Sequence, residues 1–191
     1  KSVWIDLEYL TAEDWAIGCH AIPSPHPSTG LKKTLFFPGF DTRTGGLIRE
    51  SDLISRRNRF KNDKDAQNLW RKSHNLPEID EKTIDISFFH YQTAHFEALF
   101  AELSLSQRPI RLFYPKKIEQ PTITQNGALT IYEIPFLDQY SYDYLLWTCD
   151  LNFVRGEDSF VRAQFAAAPL IWNIYVQEED ANLVKLKAFL D

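Results

Sequence analysis

The chain predicts an α/β fold built on a Rossmann-like parallel sheet, and three observations carry that expectation. From Ile84 onward, short apolar runs alternate with helical patterns: strand Ile84 to Tyr91, helix Ala94 to Ser104, strands Ile110 to Tyr114 and Leu129 to Ile134, helix Tyr142 to Thr148. The helix over 94–104 sets Phe96, Leu99, Phe100 and Leu103 at i, i+3, i+4 and i+7, one apolar stripe. The stretch from Cys149 to Gln177 then reads as strand, tight turn, helix and strand in immediate succession. Such alternation gives a parallel sheet with helices on both faces.

Taken in order, Val3 to Leu7 reads as the first strand. Thr11 to Trp15 reads as a capped helical turn with acids in its first positions. Pro23, Pro25 and Pro27 set an extended surface loop, because each lacks an N–H and fixes φ. Lys33 to Phe37 is a second strand, and Gly45-Gly46 marks a loop able to approach a ligand or partner closely. Ser51 to Asn75 is polar and helical in part through Gln67 to Trp70. Its basic run, Arg56 to Lys61, reads as a solvated helix face, with the grip on a protein substrate as the alternative. Leu76 to Asp80 is a linker, dividing the chain into 1–80 and 81–191. In the second part Leu151 to Val154 is a buried strand and Gly156 the turn. Asp158 or Ser159 caps a helix that buries Phe160, Val161, Phe165 and Ala168, and Pro169 ends it before the strand Leu170 to Tyr175. A last helix covers Ala181 to Leu190.

With 191 residues, 44% hydrophobic and 25% charged, the chain can bury a core. A net charge of -5 argues against a general nucleic-acid or anionic-membrane binder, since both rely on excess Lys and Arg. Cys19 and Cys149 are too few for a disulfide framework and lack the Cys-x-x-Cys spacing of a zinc or redox site, which makes a reducing cytoplasm the default. No apolar run is long enough to span a bilayer, and Lys1-Ser2-Val3-Trp4 does not begin like a signal peptide. The absence of any methionine, with an opening straight into a strand, predicts a piece of a longer protein. His20 and His26 have no Asp, Glu or Cys at ligand spacing, so no metal site is expected.

In open α/β sheets ligands bind beyond the carboxyl ends of the strands. That rule selects Phe89 and Tyr91, Phe136 and Gln139, Arg155 to Ser159, and Tyr175 with Gln177. Free N–H groups at the start of the helix after Gly156, with Arg155 beside them, suit a diphosphate; an ordinary capped helix start is the alternative. The aromatics, read alone, are core residues. Neither Gly-x-Gly-x-x-Gly nor Gly-x-x-x-x-Gly-Lys-Ser/Thr occurs, which leaves a classical dinucleotide or P-loop site without support.

Asp150 to Gln164 with Pro169 to Tyr175 and Gln177 to Asp180 closely resembles the EarP family, protein-arginine rhamnosyltransferases that modify translation elongation factor P. So do Trp4-Ile5-Asp6-Leu7-Glu8-Tyr9-Leu10, Pro23-Ser24-Pro25-His26-Pro27, Phe36-Phe37-Pro38-Gly39-Phe40 and Gly45-Gly46-Leu47-Ile48-Arg49-Glu50. The resemblance implies a two-domain GT-B fold, no metal or cofactor, dTDP-β-L-rhamnose as donor and an arginine of elongation factor P as acceptor. Residues 1–80 would close the acceptor-side domain with its linker, and 81–191 would form the nucleotide-sugar domain. Phe89, Phe136 and Gln139 fall on positions that hold the thymine base, the Gln139 amide both donating and accepting at its edge. Arg155, Ser159 and Tyr175 match diphosphate contacts, and Tyr91 and Gln177 join the donor site. Asp158 is expected to cap the helix or bond a ribose hydroxyl. Glu157, with Arg155, is the catalytic candidate. The family's proposed base, an aspartate near the N-terminus, has no counterpart here, so donor binding is expected of this chain and catalysis by it alone is not. Two alternatives stay open: a non-catalytic module that docks a translation factor, and a GT-B transferase using another nucleotide sugar.

Overall fold

The computed structural model describes residues 3–91, 96–174 and 181–190, in two compact units: Lys1–Glu50 with Val176–Asp191, and Ser51–Tyr175. The first unit holds β1 (Trp4–Leu7), α1 (Trp15–Cys19), β2 (Pro23–Pro25), β3 (Lys32–Phe36) and the C-terminal helix α7 (Ala181–Leu190). Its sheet has the order β1-β3-β2, with β1 parallel and β2 antiparallel to β3. The proline-rich loop thus contains a short strand. Ile22 O accepts from Leu35 N (3.1 Å), so alternation turns the nitrogens of Pro23 and Pro25 to the open edge, where no donor is needed. Helix α1 begins at Trp15, later than expected, because Thr11 Oγ1 accepts from Glu13 N (3.1 Å) and closes a turn of its own. The Gly45-Gly46 pair has an internal cause: a Cβ on Gly45 would lie 2.3 Å from the Phe36 ring.

The second unit runs α2 (Leu53–Lys61), α3 (Lys64–Ser73), β4 (Ile84–Phe88), α4 (Glu97–Ser104), β5 (Ile110–Lys116), β6 (Thr122–Asn126), β7 (Leu129–Pro135), α5 (Gln139–Thr148), β8 (Leu151–Arg155), α6 (Asp158–Ala166) and β9 (Leu170–Asn173). Its six strands lie in the order β6-β7-β5-β4-β8-β9, all parallel except β6, which pairs antiparallel with β7. The α/β expectation holds; β6 and the full length of α2 and α3 were not foreseen. Residues 51–80, grouped with the N-terminal part on sequence, lie within this unit, where α2 and α3 pack on α5. The expected start of α4 at Ala94 falls outside the described residues.

Strand alternation sends neighbouring side chains to opposite layers. Leu112 joins Ile86, Phe88, Ile110, Leu129 and Phe153 beneath the Phe96, Leu99, Phe100 and Leu103 stripe, while Phe113 joins Ile134, Leu145 and Cys149 beneath Trp70 and Tyr142. Leu112 and Phe113 are each fully buried, worth about 1.5–3 kcal/mol apiece. At the amino ends of the strands Asp85, on β4, is held by Arg71 Nη1 (2.6 Å) from α3 and by Arg111 Nε (2.7 Å) from β5. Arg71, with no exposed surface, also donates to Thr148 O (2.7 Å) at the end of α5.

The chain lays down β4, moves outward through β5 to β7, and then returns to place β8 on the other side of β4. The reversal opens a crevice between the carboxyl ends of β4 and β8, the place where such sheets take ligands.

Candidate functional site

Phe89 and Tyr91 follow β4, Arg155 ends β8, and all three reach that crevice. The Arg155 guanidinium carbon lies over the Phe89 ring (4.3 Å from its centroid) and the Tyr91 ring (4.8 Å), a cation held by two aromatic faces. Gly156 turns the chain with φ +65°, and a Cβ there would come 3.2 Å from the Tyr91 hydroxyl, so both conformation and space call for glycine.

The turn is fastened from two sides. The Ser159 hydroxyl donates to Arg155 O and accepts from Arg155 N (3.1 Å). Trp172 Nε1 donates to Gly156 O (3.0 Å), its indole stacked on Phe160 at 3.9 Å. The N-cap of α6 is Glu157, without a side-chain cap bond; Asp158 opens the first turn as an acid near the helix's positive end. The expectation that Asp158 or Ser159 caps α6 is therefore corrected, since the Ser159 hydroxyl is committed to the backbone of Arg155.

A cavity of about 540 Å³ brings together Phe89, Tyr91, Phe136, Gln139, Arg155, Glu157, Asp158 and Ser159, with Pro115, Leu137 and Tyr142 completing its wall. Phe136 is 57% exposed and stands edge-on to Phe89 (6.4 Å, 87°), so it is an open face rather than a core residue. A second hollow of about 560 Å³ shares Phe89, Tyr91, Phe136 and Arg155 and adds His90, Tyr114, Lys116 and Lys117. Tyr175 and Gln177 lie outside the described residues.

Gln139 is the first residue of α5, whose N-cap Asp138 accepts from Ser141 N (2.9 Å). With its amide oxygen turned to α6, Gln139 accepts from Arg162 Nε (3.0 Å) and from Arg162 Nη2. A guanidinium only donates, so the Gln139 oxygen rather than its nitrogen belongs on the Arg162 side, which turns the amide N–H groups toward the cavity.

Burial pushes the His90 imidazole below its ordinary value, and the nearby Arg155 and Lys116 charges add to this against the opposing bond from His90 Nδ1 to Tyr91 O (2.6 Å). Burial pushes the Tyr142 phenol up, which keeps it protonated. Tyr142 and Trp172 were missed on sequence as site residues. Tyr142 sits one turn after Gln139, a spacing the Asp138 to Ser141 cap would have revealed. The basic run reads differently too: Arg56 reaches Asp143 (3.4 Å) and lies over Tyr140 (4.6 Å), and Arg57 donates to Phe165 O (2.6 Å). Among the described residues no group of His, Cys, Asp and Glu converges to hold a metal ion, and no helix is long and apolar enough to cross a membrane.

The sequence profile described as Elongation-Factor P (EF-P) rhamnosyltransferase EarP matches residues 1–191. A protein-arginine rhamnosyltransferase of Pseudomonas putida is 41% identical over 98% of this chain and 53% of its own length. That of Pseudomonas aeruginosa is 41% identical over 100% of this chain and 54% of its own, and one from Neisseria meningitidis is 35% identical over 99% and 51%. The chain spans about half the length of these relatives. A solved structure concerned with EarP-mediated arginine glycosylation of translation elongation factor EF-P superposes with a TM-score of 0.70 at 33% identity, over 80% of this chain and 52% of that one. A profile that runs from the first residue to the last, and a fold shared over 80% of the chain, lead to one assignment: the chain belongs to the EarP family of elongation factor P rhamnosyltransferases.

Proposed function

We propose that the protein serves as an inverting glycosyltransferase of GT-B architecture, moving rhamnose from dTDP-β-L-rhamnose to an arginine side chain of elongation factor P in the cytoplasm. The observation that carries this reading is Arg155, held over the rings of Phe89 and Tyr91 at the sheet's switch point, beside the amino end of α6. A cation there, with helix N–H groups, suits a diphosphate whose negative charge grows as the glycosidic bond breaks.

In this reading the thymine ring lies against Phe136 and Phe89, Gln139 meets its edge, and Asp158 takes a ribose hydroxyl. Ser159 holds the Arg155 backbone in place, and Tyr175 and Gln177 are further donor contacts. The arginine nitrogen attacks the anomeric carbon in line as the bond to the diphosphate oxygen breaks, which inverts the centre. A guanidinium has a pKa of about 12.5–13.8, far above any carboxylate, so prior deprotonation is strongly uphill. A carboxylate such as Glu157 instead orients the guanidinium and accepts its proton late, as the new bond forms. By resemblance the family's base is an aspartate, and donor binding is the share of the work we assign to this stretch.

Calorimetric titration tests the reading. The protein should bind dTDP-rhamnose in preference to a uridine nucleotide sugar, and Arg155→Ala should weaken that binding by about 1.5–3 kcal/mol, the worth of a charged hydrogen bond. Indifference to the substitution would leave the chain a docking module.

A further inference from the structure

Beneath the cavity, α5 and α6 share a buried charge network. Arg162 on α6 is 5% exposed and Asp143 on α5 is 1% exposed, and Arg162 Nη1 donates to Asp143 Oδ2 (3.1 Å). Arg56 Nη2 reaches the same carboxylate oxygen (3.4 Å) from α2. The Nε and Nη2 edge of Arg162 is turned to the Gln139 oxygen. Gln139 and Asp143 stand one turn apart on α5, so a single planar guanidinium meets both, a fork that lysine cannot reproduce.

An amide oxygen held by a buried guanidinium cannot flip without leaving that charge short of a partner. The amide's two N–H donors are then what Gln139 offers to the cavity that it lines. We propose that Arg162 is a positioning residue that locks the Gln139 amide with its oxygen inward, so the cavity selects a pyrimidine carrying carbonyls over one carrying an amino group. Thymine and uracil have carbonyls on both sides of N3, whereas cytosine has one carbonyl and one amino group, which meets an N–H donor as donor against donor. This rests on the reading of the cavity as a nucleotide site and adds what sets its choice of base.

The test is a titration of the full-length protein with dTDP, dUDP and dCDP. The unaltered protein should bind dTDP and dUDP roughly tenfold or more tightly than dCDP, the scale of one satisfied against one opposed hydrogen bond. Gln139→Glu, an exposed position where folding is not at stake, keeps an oxygen on Arg162 and turns an acceptor to the cavity; the preference should vanish or invert. Arg162→Lys keeps the charge facing Asp143 and loses the fork, so the ratio should fall about tenfold. A purely structural role for Arg162 would weaken all three nucleotides alike and leave the ratio unmoved. Equal binding of dTDP and dCDP by the unaltered protein, or variants that retain its ratio, would overturn the inference alone. Failure of the unaltered protein to bind any of the three would overturn the donor-site reading beneath it.

Discussion

His90 is the residue whose chemistry is most altered by where the chain puts it. It is 9% exposed, among the rings of Phe88, Phe96 and Tyr114, and next to the Arg155 charge. Unfolded, its imidazole takes a proton near pH 6.5; folded, it does so only at lower pH. The unfolded chain therefore binds more protons as pH falls below about 6.5, and the stability that His90 contributes while neutral is lost down to its folded-state pKa. Urea unfolding between pH 8 and pH 5 should show a midpoint that drops below pH 6.5, and His90→Gln should flatten that drop. The sequence places His90 inside the expected strand Ile84 to Tyr91, but its titration depends on rings brought together from β4, the start of α4 and β5, which no local pattern records.

Among the elements, α2 shows how far a local reading reaches. Its basic run looks like a solvated face because charges are usually on the outside, and Arg59 does stay exposed. Arg57 and Lys61 instead donate to Phe165 O (2.6 Å) and Ala166 O (3.3 Å), the last carbonyls of α6, which has no free N–H of its own to give them. Arg57→Ala should cost about 1 kcal/mol, seen as a lower urea midpoint with the secondary structure unchanged. The partners lie more than a hundred residues away, so sequence spacing could not supply them. The same holds for β6: Thr122 to Asn126 are exposed on both faces, and a strand without a buried side shows no alternation to read. Where burial was one-sided, as on α4, the stripe was legible to the residue. The carboxyl-end rule likewise found Phe89, Tyr91, Phe136, Gln139 and Arg155, which the cavity gathers, while Tyr142 escaped because the start of α5 was placed three residues late.

Over the second unit as a whole, the two ends of the sheet do different work. The carboxyl end carries the cavity, and the amino end carries the buried Arg71, Asp85 and Arg111 cluster that ties α3, β4, β5 and the end of α5 together. Removing Arg71 strands a buried carboxylate with half its partners and leaves Thr148 O unmet, which should cost about 3–5 kcal/mol. Urea unfolding of Arg71→Met should register that loss, while nucleotide affinity of the remaining folded fraction stays near that of the unaltered protein. Stability and binding are thereby separable along the strand axis.

Arg155 is held over two rings of its own chain. A long side chain that must be ordered on binding forfeits about 0.5–1.5 kcal/mol of rotamer freedom at that moment. Here the two rings already restrict that freedom, so an arriving anion meets a cation with less searching left to do.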